Sequence, residues 1–333
     1  MLFRSTKSIT GFLKSLVINL YGIFDGILFI LNERPSAIVS FGGYCSLPMN
    51  GASVLTFTKL FLHEQNSIYG TVNRLFAPFA KQIFTSFPRQ FNSVYSSSVT
   101  YSGLPIRNSY LEGIMNSEKE QPDKFSILVI GGSQGAKAFD TIIPMAIGLI
   151  KKDLLANLSI TQQSGRQSLQ SLQELYESIG VSSEIKPFFN DIGQKLKNAD
   201  LVIARAGASS IHEILIAGKA SLLIPFPHAK HDHQFKNARQ VEENGACLVL
   251  KEKGLNEQKL CMEIEKLIEN REVLDTMAKN AKNANKTQKM QKHTKHLLTD
   301  LEQKILNHWN EAKYKYEKEE TLESSFELIR KVF

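Results

Sequence analysis

The chain has 333 residues, 42% hydrophobic and 22% charged, with a formal net charge of +7 at pH 7. That length holds two domains with a sizeable core each, and three scattered cysteines (Cys45, Cys247, Cys261) exclude a disulfide framework or a cysteine metal site and favour a reducing compartment. The basic excess suits an anionic partner, whether nucleic acid, an acidic membrane surface or a phosphorylated substrate.

Residues 11–31, GFLKSLVINLYGIFDGILFIL, are strongly apolar and long enough for a membrane span. Lys14, Asn19 and Asp25 interrupt them, and a central Asp is costly in lipid. No small-residue cleavage site of a signal peptide follows. Leu13, Val17, Leu20 and Phe24 share one helical face, with Arg4, Lys7 and Lys14 nearby. Three readings stand open: an interfacial helix, a core helix or a true span.

From residue 37 the pattern alternates strand and helix. Strands are predicted at 37–41, ending in Gly42-Gly43-Tyr44, and at 59–62, ending in His63-Glu64-Gln65-Asn66. Others follow at 82–86 and 97–102, before Gly103-Leu104-Pro105-Ile106-Arg107. Residues 116–124, NSEKEQPDK, are polar, contain Pro122 and read as a linker. A second block opens with a strand at 125–130, a turn Gly131-Gly132-Ser133-Gln134-Gly135 and a helix. Further strands are predicted near 158–162, 184–188, 201–204, 221–224 and 246–250. Six strands alternating with helices make a complete doubly wound sheet. The first block, with four, resembles a sheet without its beginning. After residue 256 the chain reads as helical, with Lys279, Lys282, Lys286, Lys289, Lys292 and Lys295 recurring every three or four residues. This row is a solvated face or a membrane-facing basic stripe. Residues 307–333 carry the only tryptophan, Trp309, and no recognisable chemistry. The resulting division is 1–115, a linker at 116–124, 125–278, and a helical segment with an extension at 279–333.

Ligands of doubly wound sheets sit at the carboxyl ends of the strands. Residues 201–238 hold two such ends. Ser209 or Ser210 is expected to cap a helix whose N-terminus favours a phosphate. Ser210-x-x-Glu213 matches a capping box, and a carboxylate there also suits ribose hydroxyls. The Gly131–Gly135 turn suits a phosphate or diphosphate, although any tight strand–helix turn needs glycine. His228, His231, Asp232 and His233 lack the spacing of a zinc site. A loop contacting sugar hydroxyls or phosphate, led by Asp232, His233 and Gln234, is the better reading. His63-Glu64-Gln65-Asn66 gathers a base, an acid and two amides at one strand end. Neighbouring side chains there diverge, so some are expected to be structural.

FGGY at 41–44, HEQN at 63–66, GLPIR at 103–107, GGSQGA at 131–136, ARAGASSIHE at 204–213 and PFPHAKHDHQFKNA at 225–238 occur in this order. Together they resemble the MurG family of glycosyltransferases. The resemblance runs from about residue 12 to 298. It implies an α/β GT-B fold, two doubly wound Rossmann-like domains facing a cleft. The family's opening GGTGGH loop does not occur in this sequence, so the N-terminal domain is expected to be incomplete. The implied activity is inverting hexosyl transfer, from UDP-N-acetylglucosamine to undecaprenyl-diphospho-N-acetylmuramoyl-pentapeptide (lipid I), giving lipid II for peptidoglycan. The alternative is a catalytically impaired UDP-sugar-binding, membrane-associated fragment of that enzyme. Implied donor-binding residues are Asn66, Arg107, Ser133, Phe189 beside the uracil, Ala208, Ser209, Ser210, Ile211, His212, Glu213 on the ribose, and Gln234 on the sugar. Gly42, Gly43 and Tyr44 fall on the acceptor side, as do His63 and Glu64, which are the candidates for catalysis. Leu13, Val17, Leu20 and Phe24 match the family's membrane patch. The resemblance implies no metal, no cofactor, no nucleic acid, and a peripheral place on the cytoplasmic face of the bacterial inner membrane, against its anionic surface.

Overall fold

The computed structural model describes residues 9–88, 99–106, 108–116, 124–131, 137–165 and 169–290, the side chains of 9–14, 108, 109, 115, 116 and 285–290 excepted. Arg107, Ser133 and residues 291–333 lie outside the described residues, as does the side chain of Leu13. The chain forms two compact units that divide between Pro105 and Ile106.

The first unit opens with helix α1, Ile9–Glu33. Then come strand β1 (Ile38–Ser40), helix α2 (Leu47–Leu55), β2 (Leu60–Glu64), α3 (Thr71–Phe76), β3 (Gln82–Thr85) and β4 (Val99–Tyr101). Among the described residues these strands form a four-stranded parallel sheet in sequential order, β1-β2-β3-β4. α1 lies close on α2 because small residues meet at the seam. A Cβ on Gly22 would come within 3.0 Å of Pro48, and one on Gly26 within 2.9 Å of Ala52. The paired positions rise in step, so the two helices run parallel. Ile30, Ile38, Ala52, Leu60, Leu62, Tyr69, Val72, Phe76 and Ile83 close the core beneath them.

The second unit begins with α4, Asn108–Asn116. β5 (Phe125–Ile130), α5 (Lys137–Gly148), α6 (Lys152–Leu155), β6 (Leu158–Gln163), α7 (Leu169–Ile179), β7 (Ser182–Lys186), α8 (Ile192–Asn198) and β8 (Leu201–Ala204) follow. α9 (Ala208–Ala217), β9 (Ala220–Leu223), α10 (His233–Glu242), β10 (Leu248–Val249), α11 (Glu257–Glu269) and α12 (Arg271–Met290) complete it. The sheet order is β10-β9-β8-β5-β6-β7, all parallel. The chain builds outward from β5 through β6 to β7, then crosses back to β8 on the other side. The reversal at the β5/β8 border is where such sheets open a crevice. The border strands are apolar but for Ser126 near the start of β5, because helices cover both faces.

Three expectations change. β7 starts two residues earlier than the pattern suggested. Its register sets Lys186 beside Gln163, and Pro187, which has no N–H to donate, ends it. α4 falls in the second unit, although the sequence reading placed it before the linker; it packs on α8. The capping box at Ser210 does not form. Gly207, with φ −64° and ψ 145°, is the residue before the helix, so Ser209 and Ser210 are already inside its first turn. Gly218, at φ 61°, ends α9 in the left-handed conformation that glycine adopts without strain. α12 continues through residues 278 and 279.

The α4–α8 contact depends on Gly113 meeting Gly193. A Cβ at Gly193 would stand 2.6 Å from the Tyr110 carbonyl oxygen and 3.2 Å from the Gly113 Cα. Backbone cannot move aside as a side-chain tip can. Gly193→Ala is expected to destabilise the protein by about 2 kcal/mol through overpacking, read as a lower urea midpoint. An unchanged midpoint would show that α4 is not held there.

Candidate functional site

In the second unit, Ile130, Ala204 and Leu223 stand side by side at the carboxyl ends of β5, β8 and β9. Three loops therefore leave the sheet at one level. The first holds the glycine-rich turn, of which residues 132–136 lie outside the described residues. The second is Arg205–Gly207, leading into α9. The Ile211 N–H donates to the Gly207 carbonyl at 3.0 Å, so the helical ladder starts there. The N–H groups of Ala208, Ser209 and Ser210 precede it and have no carbonyl within the helix. With the helix dipole they make a fixed anion seat at the switch point.

The side chains of α9 divide by face. Ser209 is exposed, and Ser210 and Glu213 are half-buried. Four and three residues separate them from Glu213, so the hydroxyls and the carboxylate share one side. Ile211 and His212 point into the core, and His212 Nδ1 lies 2.8 Å from the Ala208 carbonyl oxygen. Their side chains face away from the seat, leaving only their backbone to it.

The third loop runs from Pro225 to α10. Gln234 turns its carboxamide back onto this loop, where Oε1 accepts the Phe226 N–H at 2.9 Å. That bond engages Oε1 as the acceptor, so Nε2 is the donor end of the group. His231 and Asp232 both hold positive φ, 55° and 58°, a conformation that costs energy in residues with a side chain. His233 Nδ1 meets the Lys230 carbonyl at 2.8 Å. Phe189, after β7, is buried, with the Lys186 and Lys195 ammonium groups 5.7 and 6.0 Å from its ring centre. Its neighbour Phe188 is the exposed one.

Behind these loops lies a polar link that sequence reading missed. Tyr176 Oη donates to Gln162 Oε1 at 2.7 Å, and Gln162 Nε2 donates to Asp140 Oδ1 at 3.1 Å. The link ties β6 and α7 to the first turn of α5. Burial, with the Asp140 charge nearby, holds the Tyr176 phenol far above its ordinary pKa, so it remains a donor.

In the first unit the ends of β1 and β2 are knitted together. Gly42 and Gly43 have φ 77° and 84°. A Cβ on Gly42 would strike the Asn73 carboxamide at 2.9 Å, so this position needs glycine twice over. Tyr44 is exposed beside them. Asn73 Nδ2 donates to the His63 carbonyl at 3.2 Å and to Glu64 Oε2 at 2.9 Å. Glu64 also accepts the N–H groups of Asn66 at 3.0 Å and Gly70 at 2.9 Å. Both carboxylate oxygens are thus engaged, and Gly70 is the residue before α3. Glu64, a candidate for catalysis on the sequence alone, has a structural job: it clamps the 64–70 loop. His63 is buried against Phe41, ring centres 5.3 Å apart, with Nε2 3.0 Å from the Gly103 carbonyl. A carbonyl only accepts, so Nε2 carries the proton. Asn73 is the residue that sequence reading passed over here. A lone Asn inside a short helix gives no signal, and only the paired strands bring it to Gly42.

Two parallel α/β units, the second opening a helix at its switch point, fit a GT-B fold. The model of the glycosyltransferase family 28 C-terminal domain matches residues 126–297, and that of the N-terminal domain matches residues 4–85. Over 284 residues the chain is 35% identical to the UDP-N-acetylglucosamine–N-acetylmuramyl-(pentapeptide) pyrophosphoryl-undecaprenol N-acetylglucosamine transferase of Rickettsia bellii, covering 83% of this chain and 78% of that one. Its namesake in Trichlorobacter lovleyi is 32% identical over 284 residues, 80% and 74% of the two chains. The crystal structure of Acinetobacter baumannii MurG superposes with a TM-score of 0.68 at 27% identity, over 84% of this chain and 77% of that one. The chain belongs to glycosyltransferase family 28, and within it to the MurG family.

The Glu64 clamp is open to test. Glu64→Ala leaves two backbone N–H groups and the Asn73 amide without their acceptor, at a cost of about 3 kcal/mol. Urea unfolding of the variant should show that loss. A change within a few tenths of a kcal/mol would mean that Glu64 is free for another role.

Proposed function

We propose that the chain transfers N-acetylglucosamine from UDP-N-acetylglucosamine to undecaprenyl-diphospho-N-acetylmuramoyl-pentapeptide, giving lipid II with inversion at the anomeric carbon. The observation that carries this reading is the anion seat of α9, set on the β5/β8 border and flanked by Glu213 and Gln234. It gives every part of a nucleotide sugar a partner of fitting chemistry. The diphosphate meets the N–H groups of Ala208, Ser209 and Ser210. The ribose hydroxyls meet the Glu213 carboxylate. The sugar meets Nε2 of Gln234. The uracil lies by the backbone at Phe189, since that ring is buried.

In the reaction an acceptor hydroxyl oxygen bonds to the anomeric carbon as the bond from that carbon to the diphosphate oxygen breaks. The hydroxyl proton passes to a base. UDP departs with its new charge facing the helix N-terminus, which was oriented before the charge formed. Gly42, Gly43 and Tyr44 belong to the acceptor side. His63 and Glu64 shape that side, and their closed environments keep the proton transfer unassigned to them.

We further propose that α1 rests on an anionic membrane surface at the cytoplasmic face, where a lipid-linked acceptor is presented. Residues Ser15–Glu33 are long and apolar enough to cross a membrane by length and composition alone. Yet the helix has two unlike faces. One packs on α2 through Gly22, Ile23 and Gly26. The other exposes Leu16, Val17, Leu20, Tyr21, Phe24, Leu28 and Leu31. A helix packed on one side and bare on the other suits the interface, and the net charge of +7 suits acidic lipid.

Glu213→Ala is expected to weaken UDP binding about tenfold to a hundredfold, the worth of a hydrogen bond to a charged group, while thermal unfolding is unchanged. Equal UDP affinity in calorimetry would sink the ribose assignment. For the membrane, the triple substitution Val17→Glu, Leu20→Glu and Phe24→Glu should abolish co-sedimentation with phosphatidylglycerol vesicles and leave UDP affinity intact. Undiminished sedimentation would overturn the α1 reading.

A further inference from the structure

Arg205, in the loop after β8, is a buried cation, 6% exposed. Its side chain lies between two rings, with the guanidinium carbon 4.4 Å from the centre of Phe139 and 5.6 Å from that of Phe226. Nη1 donates to the Ile224 carbonyl at 3.2 Å and reaches the Pro225 carbonyl at 3.5 Å. The same nitrogen pairs with the Glu252 carboxylate. The backbone N–H of Arg205 donates to the Ile130 carbonyl at 3.3 Å, on the far side of the switch point. One residue thus touches the end of β5, the first turn of α5, the end of β9 and the turn after β10.

No part of this arrangement points to a ligand. Burial, two aromatic faces, two carbonyls and a carboxylate absorb the charge. What it does reach is the Pro225–Phe226 peptide, whose N–H holds Gln234 Oε1. The Pro225 carbonyl and the Phe226 ring are fixed by Arg205, and the N–H between them fixes Gln234. We propose that Arg205 is a positioning residue for the sugar end of the donor: it sets the 225–229 loop, and through it the direction in which Gln234 presents Nε2. The inference rests on the proposed role of Gln234.

Lysine at this position keeps the charge and can still meet Glu252. It loses the contacts that the guanidinium makes with the Phe139 and Phe226 rings, and with them the hold on the Phe226 side chain. Asn237 Nδ2, which donates to the Ala206 carbonyl at 3.3 Å, holds the turn into α9 independently. The anion seat therefore survives when the 225–229 loop drifts. The consequence is a split between ligands: UDP, which has no sugar, is bound as before, and UDP-N-acetylglucosamine loses the part of its affinity that comes from Gln234.

The test is calorimetric binding of UDP and of UDP-N-acetylglucosamine to the full chain and to Arg205→Lys, Gln234→Ala and the double variant. Phe226→Leu, alone and with Gln234→Ala, provides a second route, because Phe226 lies at the surface and its replacement leaves the core intact. Gln234→Ala is expected to reduce UDP-N-acetylglucosamine affinity about tenfold, with UDP unchanged. Arg205→Lys and Phe226→Leu should do the same, and adding Gln234→Ala to either should cost no more than a further twofold, since the contact is already lost. Multiplicative losses in the double variants would overturn the inference, as would equal losses for UDP and UDP-sugar in the Arg205 and Phe226 variants. A Gln234→Ala protein that binds UDP-N-acetylglucosamine normally would instead overturn the assignment of Gln234 itself.

Discussion

The register that sets Ile130, Ala204 and Leu223 level with one another governs the second unit. Parallel strands in register release their loops from one edge of the sheet. Because β8 returns to the opposite side of β5, the loops after β5 and β8 open away from each other and leave a gap. The start of α9 sits at that gap with its first N–H groups unspent. Buried, largely apolar strands cannot slide by one residue without turning their inward side chains around, so this alignment is firmly held. The helices that these loops lead into carry Glu213 and Gln234, whose placement depends on the alignment more than on any single contact.

Small residues do the corresponding work where helices meet. Gly22, Gly26 and Gly51 bring α1 onto α2, and Gly113 with Gly193 brings α4 onto α8. At the loops glycine serves a different end. Gly42 has positive φ and also lies against the Asn73 amide. That closeness sets Asn73 against the turn after β1, while its amide bonds to His63 and Glu64 at the end of β2. A buried carboxylate with several donors is costly to leave half satisfied, which ties the loop geometry to the presence of every member.

α1 joins packing to function. Its inner face is core for the first unit, and its outer face is the largest run of exposed apolar side chains there. Leu55 and Phe57 at the end of α2 are exposed as well. A soluble monomer seldom leaves so much apolar surface bare without a use for it. Asp25 sits among the exposed residues, which fits a helix lying at an interface better than one crossing it.

The sequence by itself determined the strand–helix alternation, both sheets, the turn into α9 and the loop bearing Gln234. These follow from short apolar runs, glycine-containing turns and prolines, all of which act locally. It also carried the ordered motifs that mark the family. Only the tertiary structure decided which polar residues serve the fold. Glu64 and His63 look alike as candidate catalysts in HEQN, and pairing with Asn73, Gly70 and Gly103 gave them structural partners. Ser210-x-x-Glu213 satisfies a capping pattern, but the cap falls at Gly207, three residues sooner. Arg205 read as part of a turn, and three-dimensional packing placed it between Phe139 and Phe226, which lie 66 and 21 residues away along the chain. The physical reason is common to all of these. Local pattern fixes backbone conformation, whereas the partner of a buried polar group comes from a distant segment that only the folded sheet brings near.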